Sequence, residues 1–240
     1  MWSIFKKELQ QFFSNLTGYI AIILFLLING IFLFMLPDSS ILDYGYASLD
    51  KFFELAPWVL MFLVPAITMR SLSDEFKAGT FEILKTKPLT AWQIVWGKYM
   101  AVLLVILIVI IPTFIYILTI KTLSAGGTID SGGIAGSYLG LFLLAAVFAA
   151  ISLCCSSFTS NAVVAFLISV FTCLLLYFGF SAISKLALLQ GSFDYYVEML
   201  GIDFHYHSIS RGVLDSRDLV YFASLIFLSL LITVKNLHKK

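Results

Sequence analysis

Six apolar stretches of this chain are long enough, or nearly long enough, to cross a lipid bilayer as helices, and they constrain the fold more than any other feature. A bilayer core about 30 Å thick requires roughly 17–25 helical residues. Because 60% of the 240 residues are apolar and only 12% are charged, a water-soluble fold of this size could not bury the apolar side chains. We therefore predict an all-α, polytopic membrane protein in which residues 1–240 form one transmembrane domain. The predicted spans are residues 18–36, 52–69, 99–120, 136–158, 162–184 and 219–234.

The second and sixth spans are the least regular of the six. Glu54, Pro57 and Pro65 interrupt the second span, and the sixth is short. The first span is not predicted to be a cleaved signal peptide, because its apolar run is too long and ends in a Pro-Asp pair without a small-x-small cleavage site. It is expected to remain as a membrane anchor.

Positive charge is concentrated on one side of the six predicted spans. That side, formed by residues 1–17, 70–98, 159–161 and 235–240, carries ten Lys or Arg and four Asp or Glu, whereas the other side carries five and ten. Cytoplasmic segments of membrane proteins are enriched in Lys and Arg. Both termini are therefore predicted to be cytoplasmic.

The predicted spans lack the groups that ion transport and catalysis use. Ion pumps and proton-coupled transporters keep ionisable side chains at membrane depth, whereas Glu54 and Asp218, the acids nearest to the spans, are predicted to lie at the outer interface. The chain has no His-Glu-x-x-His, Gly-x-Ser-x-Gly or phosphate-loop motif. Its three cysteines lie within apolar runs and indicate neither a disulfide framework nor a metal site. We expect no catalytic residue, no cofactor and no nucleic-acid partner.

Residues 2–16 have the pattern of an interfacial amphipathic helix. Its apolar side is predicted to enter the acyl boundary, while Lys6 and Lys7 face anionic headgroups. The helix either fixes the depth of the first span or moves with it. The residues of the apolar side, at alternating spacings of 3 and 4, are Trp2, Phe5, Leu9, Phe12 and Leu16.

Residues 73–87 belong to the longest cytoplasmic connection, between spans two and three, and are predicted to be helical. Ser71 or Ser73 could cap this helix, with Asp74 and Glu75 in the first turn, where acidic side chains are favourable. The side chains predicted to share one face are Phe76, Thr80, Ile83 and Leu84.

Gly79 is predicted to break the helix, and Thr80 is predicted to cap the part that follows. Pro88 ends the element, and Thr90 with Gln93 is predicted to form a capping box at the start of the next helix. A short helix with charges of both signs suits docking on a soluble partner. The alternative is an ordinary solvated connector.

Small residues recur four apart at the start of the fourth span. Gly132, Gly136 and Gly140 allow helix backbones to approach closely in lipid. This packing is predicted to lie within one chain rather than between two copies.

The external segment before the sixth span contains two histidines. On a strand, Asp203, His205 and His207 would face one way, and this arrangement could hold a metal ion. The alternative, a solvated or headgroup-contacting loop, is favoured, so His205 and His207 are only weak candidates for metal ligands.

Three segments of the chain together resemble ABC-2-type ABC transporter permeases. The main one is 74–84, with the letters DEFKAGTFEIL, followed by Pro88 and Gly97-Lys98. The family has acidic residues, Gly-Thr-x-Glu-x-Leu, a proline and a Gly-Lys pair in this order after its second span. Residues 6–13 and 211–222 are also similar to the family. The whole chain looks most like the permease linked to gliding motility in Bacteroidetes-type bacteria, and next most like the permeases for copper-enzyme maturation.

This resemblance implies a multi-pass protein of the bacterial inner membrane that pairs with a second permease copy or a paralogue. Two copies of a separate cytoplasmic ATP-binding subunit would drive the pair, and the gliding family implies an auxiliary membrane subunit with a periplasmic domain. The loop after span two would be the coupling helix. The ATPase-coupling residues carried over from the family are Asp74, Glu75, Phe76, Gly79, Thr80, Glu82 and Leu84.

Three classes of function remain open from the sequence. The leading one is a permease that exports lipid-linked or polymeric cargo, or transmits force, with membrane lipid as a further partner. A structural scaffold would not require the Gly-Thr-Phe-Glu segment after span two. A membrane enzyme is disfavoured by the missing cluster of polar residues.

Overall fold

The computed structural model describes residues 1–36, 48–123, 130–185, 193–213 and 215–239, and its regular structure there is helical throughout. The predicted all-α fold is therefore confirmed. The helices are α1 (Trp2–Ser14), α2 (Leu16–Phe34), α3 (Asp50–Thr68), α4 (Arg70–Lys77), α5 (Thr80–Lys85), α6 (Ala91–Ile110), α7 (Phe114–Leu123), α8 (Ser131–Phe158), α9 (Ala162–Leu174), α10 (Phe180–Ser184), α11 (Asp194–Glu198), α12 (Ile202–Ile209) and α13 (Ser216–Lys239).

Five helical stretches of the described residues are long and apolar enough to cross a membrane, and they contain predicted spans two to six. They are Asp50–Lys77, Ala91–Thr122, Ser131–Phe158, Ala162–Ser184 and Ser216–Lys239. A sixth crossing is formed if α1 and α2, which bend by 67° at their junction, are counted together. The placement of α1 at the membrane interface stays a prediction.

Spans two, three, four and six continue beyond their predicted bounds, and the second and sixth do so past charged residues. The second reaches Lys77 through α4, and the sixth runs from Ser216 to Lys239. Charged residues marked these ends in the sequence, but a helix continues into water or headgroups as long as its backbone hydrogen bonds persist. Two irregular turns also interrupt long helices: a 3₁₀ turn at Ile111–Thr113 and a π turn at Leu175–Gly179.

The fourth span, α8, is the centre of the bundle. Of the apolar stretch of α8 that could cross a membrane, 83% is buried inside the protein. The corresponding fraction for the fifth span is 22%. It packs against α3, α6, α9 and α13, and its small side chains, including Ala145 and Ala149, are fully buried. Tyr99 of α6 donates a hydrogen bond to the Ala146 carbonyl at 3.2 Å. Small residues let these helices approach closely, as expected in lipid.

Candidate functional site

The connection between spans two and three is built from two helices, α4 and α5, and the first of them begins at Arg70, before the predicted start at residue 73. α4 follows α3 directly, with Met69 in helical conformation between them, so neither Ser71 nor Ser73 is the N-cap. Ser73 instead donates its hydroxyl to the Met69 carbonyl. The predicted serine cap is therefore wrong, because the membrane helix does not end where its charged residues begin.

A buried serine of α8 holds the junction of α3 and α4. Ser156 Oγ accepts hydrogen bonds from the backbone amides of Leu72 and Ser73, at 3.2 and 3.1 Å, and donates to the Met69 carbonyl at 3.0 Å. The side chain of Ser156 is fully buried. This contact joins α4 to the central helix of the bundle.

Gly79 separates α4 from α5, as predicted. Its φ of +66° lies in the left-handed region, and a Cβ there would meet no atom within 4 Å. Glycine is thus required by the backbone conformation and not by space. Thr80 does not cap α5, since its hydroxyl lies 3.4 Å from the Glu75 carbonyl and donates to it. The capping box of Thr90 and Gln93 is present, with distances of 3.3 and 3.2 Å.

The seven predicted coupling residues fall on two sides of this connection. Glu75 is buried and Phe76 half-buried, and the Phe76 ring contacts the ring of Phe81 edge-on at 5.0 Å. Asp74 and Leu84 are half-buried. The exposed members are Gly79, Thr80 and Glu82.

The predicted apolar face of this segment is wrong at three positions, one of which is Thr80, which is exposed. Ile83 is 61% exposed, whereas Phe81, which was not assigned to that face, is only 5% exposed. The change of direction at Gly79 rotates α5 relative to α4, so one helical periodicity cannot describe both.

A cluster of four charged residues joins α1, α4 and α6 beside this connection. Lys98 is fully buried, and its Nζ lies 2.7 Å from Glu8 Oε1, 3.0 Å from Glu75 Oε1 and 2.6 Å from the Ser71 carbonyl. Lys7, which is half-exposed, also contacts Glu75 Oε1 at 3.0 Å. Glu75 Oε2 has no hydrogen-bond partner. We name these residues the Lys98 cluster.

The Lys98 cluster changes the prediction for α1. Lys7 faces a buried carboxylate instead of the headgroups, whereas Trp2 and Leu16 of the apolar side are 64% and 77% exposed, as a membrane-facing surface would be. α1 approaches α6 closely at Gly97, where a Cβ would lie 3.1 Å from Ile4 Cβ.

The sequence analysis missed this cluster because it counted Lys98 as the last residue of a cytoplasmic loop. The Gly97-Lys98 pair was the feature of the sequence that could have indicated it. The glycine allows α1 to pack closely against α6, and the lysine pairs with Glu8, which is 90 residues away in sequence. Buried charges are tolerated only when they are paired and hydrogen-bonded. The pairing therefore fixes how α1, α4 and α6 sit together.

The glycine series of α8 packs against the segment that follows α12. A Cβ at Gly136 would lie 3.0 Å from Gly212 Cα, and one at Gly140 would overlap Ile209. Gly212 has a φ of +83°, and Ser137 donates its hydroxyl to the Ser210 carbonyl at 2.7 Å. Gly132 differs, because Asp130 is the one described residue near its Cβ position.

The two histidines do not converge. Residues 202–209 form helix α12, so neither the strand geometry that a metal site would need nor the favoured loop is present. His205 is buried, with Nδ1 at 2.7 Å from Asp218 Oδ1 and Nε2 at 2.9 Å from the Met199 carbonyl. His207 is exposed and contacts Arg211 at 2.9 Å. Within the described residues, no three His, Cys, Asp or Glu side chains are grouped as metal ligands.

α12 also binds the second span through Tyr206. This hydroxyl donates to the Phe53 carbonyl at 2.8 Å. Burial, and after it the charge of Asp203, raises the pKa of Tyr206 above its ordinary value, so the hydroxyl remains a donor. Together with the His205–Asp218 contact, this bond ties α12 to spans two and six.

A family model matches more than half of this chain. The family model described as ABC-2 family transporter protein matches residues 37–195, about two thirds of the chain. This range contains spans two to five and the connection between α4 and α6. Among curated proteins, none matches the chain significantly.

Proposed function

Because this chain belongs to the ABC-2 family of transporter proteins, we propose that it is a permease subunit moved by ATP hydrolysis in a separate cytoplasmic subunit. As a member of this family it is a transmembrane subunit of an ABC transporter. The residues proposed to receive the motion are those predicted from the sequence: Asp74, Glu75, Phe76, Gly79, Thr80, Glu82 and Leu84.

The observation that carries this proposal is the contrast between the two sides of the α4–α5 connection. Gly79, Thr80, Glu82 and Ile83 are exposed and form a rim that a soluble subunit can contact. Behind the rim, Glu75 is held by the Lys98 cluster. A force applied to the rim is therefore delivered to helices that cannot slide freely past one another.

The transmission path follows from the contacts. α4 continues the second span, is bound to α8 through Ser156, and meets α6 and α1 through Lys98. We propose that closure of the ATP-binding subunits tilts the second and third spans as one unit, with α1 carried along by Glu8. Gly79 allows α5 to take the angle that docking requires.

The assembly and its location are part of the same proposal. We infer a pair of permeases, of this chain or of this chain and a paralogue, with two ATP-binding subunits. A self-complementary contact between identical copies would follow from two-fold symmetry. The excess of Lys and Arg on the side of α1, α4 and α5 supports an inner-membrane protein with both termini in the cytoplasm.

We propose gliding motility as the process that this permease serves, with an auxiliary membrane subunit that has a periplasmic domain. The support is the resemblance of residues 6–13, 74–84 and 211–222 to that group of permeases. Copper-enzyme maturation and lipid or polysaccharide export are the alternatives within the family. A subunit that transmits force without moving cargo would also use the α4–α5 connection.

Reversal of one charge on the rim tests the coupling proposal. Glu82→Lys should weaken co-purification of the ATP-binding subunit in mild detergent, while the amount of permease in the membrane stays at the wild-type level. Glu54→Lys is the matched control, because Glu54 is exposed near the far end of the helix Asp50–Lys77, which precedes α5. Equal recovery of the ATP-binding subunit with Glu82→Lys and with the control would contradict the proposal.

A further inference from the structure

A cavity of about 880 Å³ lies between α1, α2, α3 and α6. Its volume is within the range of roughly 300–1,000 Å³ that is typical of small-molecule sites. Part of α4 closes one end, beside the Lys98 cluster. The cavity therefore lies in the membrane region and touches the proposed coupling segment.

The cavity is amphipathic along its length. Side chains of α2, α3 and α6 form an apolar wall that includes Leu24, Phe62 and Val105, and Gln11 and Asn15 of α1 lie at the polar end. From Arg70 at this end to Trp58 in the wall, the helix rises by about 18 Å. Half of a bilayer core is about 15 Å. The apolar wall thus matches the depth of one leaflet.

One cation and one anion at the polar end have no partner. Arg70 and Asp74 both line the cavity, four residues apart on α4, and neither has an ion pair or side-chain hydrogen bond with the described residues. The other charged lining residues, Lys7, Glu8 and Glu75, are engaged in the Lys98 cluster. A ligand that carries both a negative and a positive group would complement the charges of Arg70 and Asp74.

We propose that this cavity binds one zwitterionic phospholipid with a primary-amine headgroup, from the leaflet on the side of α1. Its phosphate pairs with Arg70, its ammonium group donates to Asp74, and its acyl region lies along the wall formed by α2, α3 and α6. A choline headgroup has no N–H to donate, and an anionic headgroup would leave Asp74 facing negative charge.

The proposal goes beyond the transport function and does not rest on it, because lipid binding requires neither the ATP-binding subunit nor a cargo. With the cytoplasmic orientation proposed above, the leaflet is the inner one. The bound headgroup would then lie directly beside the α4–α5 connection, where Asp74, Ala78 and Thr80 line the cavity.

Native mass spectrometry of the delipidated full chain in mild detergent tests the proposal. The chain is titrated separately with phosphatidylethanolamine, phosphatidylcholine and phosphatidylglycerol that have identical acyl chains. One ethanolamine lipid per chain should bind ~tenfold more tightly than the other two, as expected for one additional charge-assisted hydrogen bond. Asp74→Asn should remove the preference over the choline lipid, and Arg70→Gln should weaken all three.

A bulky substitution tests the location. Ala66 is exposed in the cavity wall, so Ala66→Phe should fill the cavity and abolish saturable binding. Ala223→Phe, at an exposed position of α13 outside the cavity, should bind as the wild type does. The proposal is overturned if all three lipids bind equally, if Ala66→Phe leaves binding unchanged, or if the chain forms a dimer in which the cavity is occupied by the second copy.

Discussion

Removal of the Lys98 ammonium group should destabilise the protein far more than removal of an exposed lysine. Lys98 is fully buried and is in contact with Glu8, Glu75 and the Ser71 carbonyl. The carboxylates of Glu8 and Glu75 are only 15% and 10% exposed. Lys98→Met would leave both without this cation. Breaking a buried ion pair from one side typically costs about 3–5 kcal/mol, so we expect a loss of that size in the free energy of unfolding.

The same reasoning makes an opposite prediction for the triple variant. If Glu8 and Glu75 are also replaced by Met, no buried charge is left unpaired, and Lys7 is already half-exposed. Replacing a whole buried ionic group by apolar residues of similar size is often neutral or stabilising. The triple variant should therefore recover most of the stability that Lys98→Met loses.

Reversible unfolding in mixed detergent micelles measures both effects. Lys77→Met is the matched control, because Lys77 is exposed at the end of α4, and its free energy of unfolding should remain near the wild-type value. The reasoning fails if Lys98→Met lies within about 1 kcal/mol of the wild type, or if the triple variant is less stable than the single one.

Three further substitutions test other contacts, each by unfolding in the same micelles. Gly79→Ala should cost about 1–2 kcal/mol, because the left-handed conformation penalises a Cβ and the site is otherwise open; Gly79→Asn should cost less, and equal losses would contradict this reason. Gly140→Ala should lower the unfolding temperature through overlap with Ile209, and adding Ile209→Ala should restore part of the loss instead of adding to it. His205→Ala should cost about 1–3 kcal/mol, because it leaves at least one buried acceptor, the Asp218 carboxylate or the Met199 carbonyl, unpaired, while His207→Ala, at an exposed position, should have no effect; the assignment of His205 fails if the two variants behave alike.

The long apolar helices could be predicted because they depend on composition over about 20 residues. Long uncharged runs, such as the one around Ala149, have no stable alternative to a membrane helix. Local capping was also predictable where donor and acceptor are three residues apart, as in the capping box of Thr90 and Gln93. Both features depend on neighbours in sequence.

The Lys98 cluster and the environment of Glu75 could not be predicted in this way. Lys98 and Glu8 are 90 residues apart, so nothing in the local sequence indicates that they pair. A prediction from hydropathy also places each charged residue outside a span, and it therefore did not expect Lys98 to be buried. The helix at 202–209, where a loop was favoured and a strand was the alternative, was missed for a related reason. Alternating Phe204, His205 and Tyr206 fits a strand locally, but the contacts of His205 and Tyr206 with other spans are made from a helix.

The central position of α8 has a consequence for biosynthesis. α8 is the fourth span to leave the ribosome, yet α3 and α6, which are made before it, pack around it. Until it enters the membrane, the Tyr99 hydroxyl lacks the Ala146 carbonyl and the amides of Leu72 and Ser73 lack the Ser156 hydroxyl. The helices made before α8 must therefore leave these polar groups without their final partners. They reach their final packing only after α8 has entered the membrane.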